Sequence, residues 1–159
     1  MPDTLPGALA EIGWSDRVLA LYNGVMHPGA EPARIVGVER SACVAAFAGG
    51  ARRLLRAAVL PAVGDWVAAG GGMVREILPR WSVLARAEAS GPRTQVLAAN
   101  VDLVIITAPA DRLSLARVER ELAVAWDSGA QPLLVVTKAD RGGRGAVAAL
   151  EQRLAGANV

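Results

Sequence analysis

The chain has 159 residues, 53% of them hydrophobic, enough for one domain or two small ones with a real core; its single cysteine, Cys43, excludes an internal disulfide, and with the single His27 it cannot complete a four-ligand zinc site, so both are read as structural or incidental. The longest strongly apolar run, Val101 to Pro109, is too short to span a bilayer, and Asp3, Glu11 and Asp16 stand where a secretory leader would be basic and then apolar, so a cytoplasmic protein with no membrane partner is expected. The formal charge of +2 is uneven: residues 34–93 hold nine arginines against four carboxylates, a net of +5, between −3 in residues 1–33 and zero in 94–159, which points the middle segment toward a polyanion.

Residues 1–33 form an N-terminal extension in which Leu5, Leu9, Ile12, Val18, Leu19 and Tyr22 predict one or two short helices ending at Asn23-Gly24. From Arg34 the pattern changes to short β-rich runs, Ile35–Val38, Ala42–Phe47, Arg53–Val59, Val63–Ala68 and Met73–Leu78, punctuated by Gly49-Gly50 and Gly70-Gly71-Gly72. Five strands spaced about ten residues apart predict a small closed barrel, OB-like, over residues 34–80. Within it Trp66 reads as core, and with so few aromatics a polyanion would be held through charge and shape more than by stacking. Residues 81–95, with the turn signal Ser90-Gly91-Pro92, read as a linker.

Residues 96–159 have a different texture, and the overall fold class expected is all-β followed by α/β. Asp102–Thr107 is nearly continuously apolar, as in strands buried on both faces. Ser114 is placed to cap a helix whose apolar face is Leu115, Val118, Leu122 and Ala125 or Trp126, and Ser128-Gly129 ends it. Leu133–Val136 is a second strand, parallel to the first, and Val147, Leu150 and Leu154 mark another helix. Two parallel strands leave much apolar surface uncovered, so the segment reads as the first βαβ part of a larger α/β domain.

The second of these strands runs into Thr137-Lys138-Ala139-Asp140. Guanine presents two adjacent donors, the N1 hydrogen and the exocyclic amino group, and one carboxylate, here Asp140, can accept both. Adenine lacks the N1 hydrogen and would leave the carboxylate unmatched. Lys138, the sole lysine of the chain, has the long unbranched stem that can lie along a purine face. A carboxyl end of a parallel strand is where open α/β sheets bind ligands. Lys-x-Asp after a strand also describes a solvated loop, and on the residues alone both readings stand.

Four segments, LPAVGDWVA from Leu60, ILPRWSVLAR from Ile77, QVLAANVDLVIITA from Gln95 and RVERELAVAWDSGAQPLLVVTKAD from Arg117, together resemble the RsgA (YjeQ) family of GTPases that depend on the small ribosomal subunit. The resemblance implies a circularly permuted GTPase domain, in which the guanine-reading motif precedes the phosphate loop, behind an OB barrel and ahead of a zinc-binding domain. It implies GTP and Mg²⁺ as ligands, the small subunit and its rRNA as partners, a monomer, and a role in late subunit maturation. Thr137, Lys138, Ala139 and Asp140 would then bind guanine, although Thr137 offers a hydroxyl where the family usually has an amide. The barrel would face RNA, with Arg34, Arg40, Arg52, Arg53, Arg56, Arg75, Arg80, Arg86 and Arg93 as candidate contacts. The 159 residues contain no phosphate loop, switch region or zinc ligand set, so no catalytic or metal-binding residue is assigned and this chain alone is expected neither to hydrolyse GTP nor to bind it tightly. The rival reading is a stand-alone RNA-binding barrel with a non-catalytic βαβ scaffold. A dinucleotide enzyme is disfavoured, because APADRLS after the first strand carries no glycine fingerprint.

Overall fold

The computed structural model describes residues 7–25, 27–55, 60–87, 94–141 and 144–156. Two compact units are present: Met1–Trp81 with Ala85–Asn100, and Ser82–Leu84 with Val101–Val159.

The first unit holds two short helices, α1 (Gly7–Ala10) and α2 (Asp16–Asn23), and a closed barrel of β1 (Glu31–Val38), β2 (Ala42–Phe47), β3 (Gly50–Leu55), β4 (Trp66–Gly70) and β5 (Met73–Ile77). The barrel order is β1-β2-β3-β5-β4, antiparallel throughout except where β3 meets β5 in parallel. Alternation decides the interior: Ala33 and Ile35, Cys43, Ala45 and Phe47, Leu54, Val67 and Ala69, and Val74 are all buried. Small residues on several strands leave room for Phe47 in so narrow a barrel. Strand β4 is buried on both faces, because Trp66 packs outside the barrel with Leu9, Trp14, Val18 and Leu78 while Val67 and Ala69 point in. Trp66 is 1% exposed, and Trp14 meets it edge-on at 5.2 Å.

Two-residue turns close the hairpins. Gly71 and Gly72 take φ of 62° and 74° between the paired residues Gly70 and Met73, the mirror-image turn whose twist suits a hairpin and whose positive φ glycine adopts at no steric cost. The fourth strand starts at Trp66, not Val63, because Gly64 at φ 92° turns the chain and Val63 makes only an isolated bridge to Ala98. A Cβ on Gly64 would lie 2.1 Å from the Ala99 carbonyl oxygen. The third strand begins earlier than the sequence suggests, and its expected end, 56–59, lies outside the described residues, as do Leu5 and the turn Ser90-Gly91-Pro92. Within the segment read as a linker, β6 (Val83–Ala87) pairs with β7 (Thr94–Ala99).

In the second unit β8 (Leu103–Pro109) and β9 (Gln131–Thr137) are parallel and in register, joined through a 3₁₀ turn, Ala110–Arg112, and α3 (Leu115–Asp127); α4 (Arg144–Leu154) comes last. Ile106, Ala108, Val118, Leu122, Ala125 and Leu150 form its core. The helical face is settled by Ala125; Trp126 and Leu115 are exposed. Ser114 occupies the cap position with extended backbone, and its carbonyl accepts from Val118, but its hydroxyl makes no capping bond. The strands are not buried on both faces: Leu103, Ile105, Leu133 and Val135 are exposed, while the alternate residues pack on the helices. No helix of the described residues is long and apolar enough to cross a membrane.

Candidate functional site

The register of β8 and β9 sets Pro109 opposite Thr137, so the turns that succeed the two strands emerge at the same end of the sheet. Thr137 is half-buried at the last position of β9. Lys138 turns the chain with φ 53°, a left-handed conformation uncommon outside glycine, and its carbonyl accepts the Arg141 N–H at 2.9 Å, closing a tight turn around Ala139 and Asp140. The Asp140 side chain is 79% exposed, with Arg141 Nε a loose 3.9 Å away. Its carboxylate is therefore open to a ligand at the strand's carboxyl end. Lys138 Nζ lies 3.8 Å from the carboxylate of Asp111 in the turn after β8. A groove of about 580 Å³ runs elsewhere, between β8 and α3, lined by Ile105, Thr107, Arg117, Glu121 and Val124 among others, and no residue of the 137–140 turn borders it.

The candidate arginines divide by depth. Arg34 is committed within the first unit: it donates to the carbonyls of Ile12 and, at 3.4 Å, Asn100, and its guanidinium lies over Trp66 at 5.5 Å. Arg80 is committed too, donating to both oxygens of the fully buried Asp65 at 2.7 and 2.6 Å. These hydrogen bonds push the Arg80 pKa further above its ordinary value, against the opposing effect of its partial burial. Arg40, Arg52, Arg53, Arg75 and Arg86 are exposed. Arg52 reaches Glu31 at 2.7 Å and stacks over Phe47 at 3.6 Å, at one end of the barrel. Arg53 forks onto Glu39 at 3.0 and 2.7 Å, which raises its pKa. Arg75 donates to the Gly70 carbonyl and Arg86 to Gln95. Arg56 and Arg93 lie outside the described residues.

Cys43 is buried in the barrel core, and His27 meets Glu76 at 2.6 Å on the surface. Among the described residues no group of three or more His, Cys, Asp or Glu side chains is arranged to hold a metal ion. Two residues that the motif reading passed over matter to these sites. Asp65 has a local signal, a carboxylate between a glycine and a tryptophan in an apolar run; Asp111 has none, since its meeting with Lys138 depends on strand register.

Among relatives, the small ribosomal subunit biogenesis GTPase RsgA of Streptomyces coelicolor is 42% identical over 146 residues, covering 84% of this chain and 40% of the relative. Its namesake in Streptomyces avermitilis is 39% identical over 157 residues, covering 86% and 42%. The chain thus spans about two fifths of the length of the curated relatives it matches. Among solved structures, YloQ, a circularly permuted GTPase, superposes with a TM-score of 0.58 at 18% identity, over 80% of this chain and 48% of that one. YjeQ from Thermotoga maritima gives 0.54 at 18% identity, over 79% and 47%. At that identity both speak for the fold alone, a barrel and then the start of a permuted GTPase domain. Since the family model for RsgA GTPase matches residues 77–159, more than half of its length, this chain belongs to the RsgA GTPase family.

Proposed function

We propose that this chain carries the RNA-facing and guanine-reading parts of a cytoplasmic, monomeric GTPase that assists late maturation of the small ribosomal subunit. The observation that carries the reading is the 137–140 turn, which stands at the carboxyl end of the parallel β8–β9 pair with Asp140 open to solvent. There Asp140 accepts the two donors of guanine, Lys138 lays its stem along the purine, and Thr137 and Ala139 shape the turn. The names of the relatives supply the biological setting.

The barrel is of the OB type on this reading, supported by the order β1-β2-β3-β5-β4 and the single parallel contact of β3 with β5. Its strands run from Glu31 to Ile77, a little earlier than the expected start at Arg34, and the guanine-reading part follows the β6–β7 pair, from Val101 onward. The exposed Arg40, Arg52, Arg53, Arg75 and Arg86 contact rRNA phosphates, with Arg56 and Arg93 as further candidates, while Arg34 and Arg80 serve the fold. GTP is the nucleotide. Mg²⁺ would accompany the GTP phosphates, and no residue of this chain is assigned to Mg²⁺ or zinc.

The test is GTP turnover by the complete gene product with and without purified small subunits. Stimulation by subunits is expected, and turnover indifferent to them would overturn the reading. The 159-residue chain alone should show neither turnover above background nor micromolar affinity for GTP, because the grip on the phosphates comes from a loop it does not contain.

A further inference from the structure

The in-register pairing that sets Pro109 beside Thr137 also decides which side chains meet just past the sheet. From β8 the chain enters the 3₁₀ turn with Ala110 buried, 5% exposed, which pins the residue after it. From β9 it enters the left-handed residue Lys138. The outcome is that Asp111 Oδ2 and Lys138 Nζ stand 3.8 Å apart although 27 positions separate them in sequence. Asp111 is the more sheltered of the two carboxylates near this turn, its side chain 24% exposed against 79% for Asp140. Its field on Lys138 is correspondingly less screened.

A lysine stem that is to cover a purine face has several rotatable bonds to order, and an anchor at its tip lowers that ordering cost before ligand arrives. We infer that Asp111 is a positioning residue for the base-reading turn, holding the Lys138 ammonium so that the lysine stem is set for the purine. This rests on the assignment of Lys138 and Asp140 to guanine. Asp140 recognises the base, and Asp111 acts only through Lys138.

The experiment is calorimetric titration of the complete gene product with GDP and with xanthosine diphosphate, at low and high salt, for the natural protein and for D111N, D111E and D140N. Xanthine carries a carbonyl where guanine carries its amino group, so D140N should shift preference toward xanthine, and this arm tests the guanine assignment by itself. D111N should weaken GDP binding roughly two- to five-fold, the scale of a partly exposed ion pair. D111E should recover most of the loss, and the gap between D111N and the natural protein should close as salt screens the pair. If D140N switches preference while D111N binds GDP as well as the natural protein, the inference is overturned and the guanine assignment stands. A D111N loss that persists at high salt and is not recovered by D111E also overturns it, because the residue then acts through the fold. If D140N leaves preference unchanged, both fall.

Discussion

The buried carboxylate of Asp65 and the guanidinium of Arg80, 15 residues apart, form a two-pronged pair at 2.7 and 2.6 Å, and the same carboxylate accepts the Ala62 N–H at 2.7 Å. An arginine that counts toward a basic surface in the sequence is thereby tied to a buried group of the first unit. Arg80→Met leaves Asp65 buried without its counter-charge and should cost about 3–5 kcal/mol of stability. Adding Asp65→Asn should restore part of it, because the uncompensated charge is gone. Urea unfolding of the two single variants and the double variant checks this; a double variant that loses the full sum of the two would contradict it.

Gly64 should accept no side chain. Its φ of 92° and the Ala99 carbonyl oxygen, 2.1 Å from where a methyl group would stand, combine a left-handed backbone with a clash against main chain that has nowhere to move. Gly64→Ala should destabilise by about 2–4 kcal/mol, read as a lower thermal midpoint. Gly49→Ala, with open space around its Cβ and no positive φ, is the control and should change little.

Tyr22 is the only tyrosine, and its hydroxyl donates to the Ala30 carbonyl at 2.8 Å. Burial, and secondarily the charge of Glu31, raises its pKa above the ordinary 10.0. In the window between 10.0 and the raised value the unfolded chain has lost the phenolic proton and the folded chain has kept it. Stability is therefore full below the ordinary value and declines as pH rises through that window. Tyr22→Phe should lose about 1 kcal/mol at neutral pH with the hydrogen bond. The gap between the two proteins should narrow above pH 10, as followed by unfolding midpoints across the range.

For RNA, Arg52→Ala and Arg53→Ala should each weaken binding to small-subunit rRNA and lower the salt slope by roughly one. Both arginines are already engaged by carboxylates, Glu31 and Glu39. Neutralising those acids, as Glu31→Gln and Glu39→Gln, should strengthen binding at low salt. Filter binding across a salt series reads all four variants, and a complex indifferent to salt would count against a phosphate-contacting barrel.

How far the sequence could be read depended on whether the deciding interaction was local. Alternation in Ala42–Phe47 and the paired glycines at 71 and 72 specify strand and turn within a few residues, so the second strand and the turn after the fourth were legible. The start of the fourth strand was not, because Gly64 and Asp65 are apolar-run neighbours that fold back to bond Ile35 and Arg80. A charge sum counts Arg34 and Arg80 with the surface, since it carries sign and not depth. Helical periodicity allowed either Ala125 or Trp126 on the inner face, and packing against β8 and β9 chose the smaller. The strands at 83–87 and 94–99 were hidden by the turn signal between them. The turn at 137–140 was visible as letters, but the approach of Asp111 to Lys138 needed the register of two strands.

The lone thiol offers a clock. Cys43 is the sole cysteine of the chain and is wholly enclosed by the barrel, 0% exposed. A thiol reagent can reach it only when the strands part. The speed at which the protein takes up such a label, compared with the same reagent on the denatured chain, thus counts how often the barrel breathes, with no introduced probe and no second site to confuse the signal.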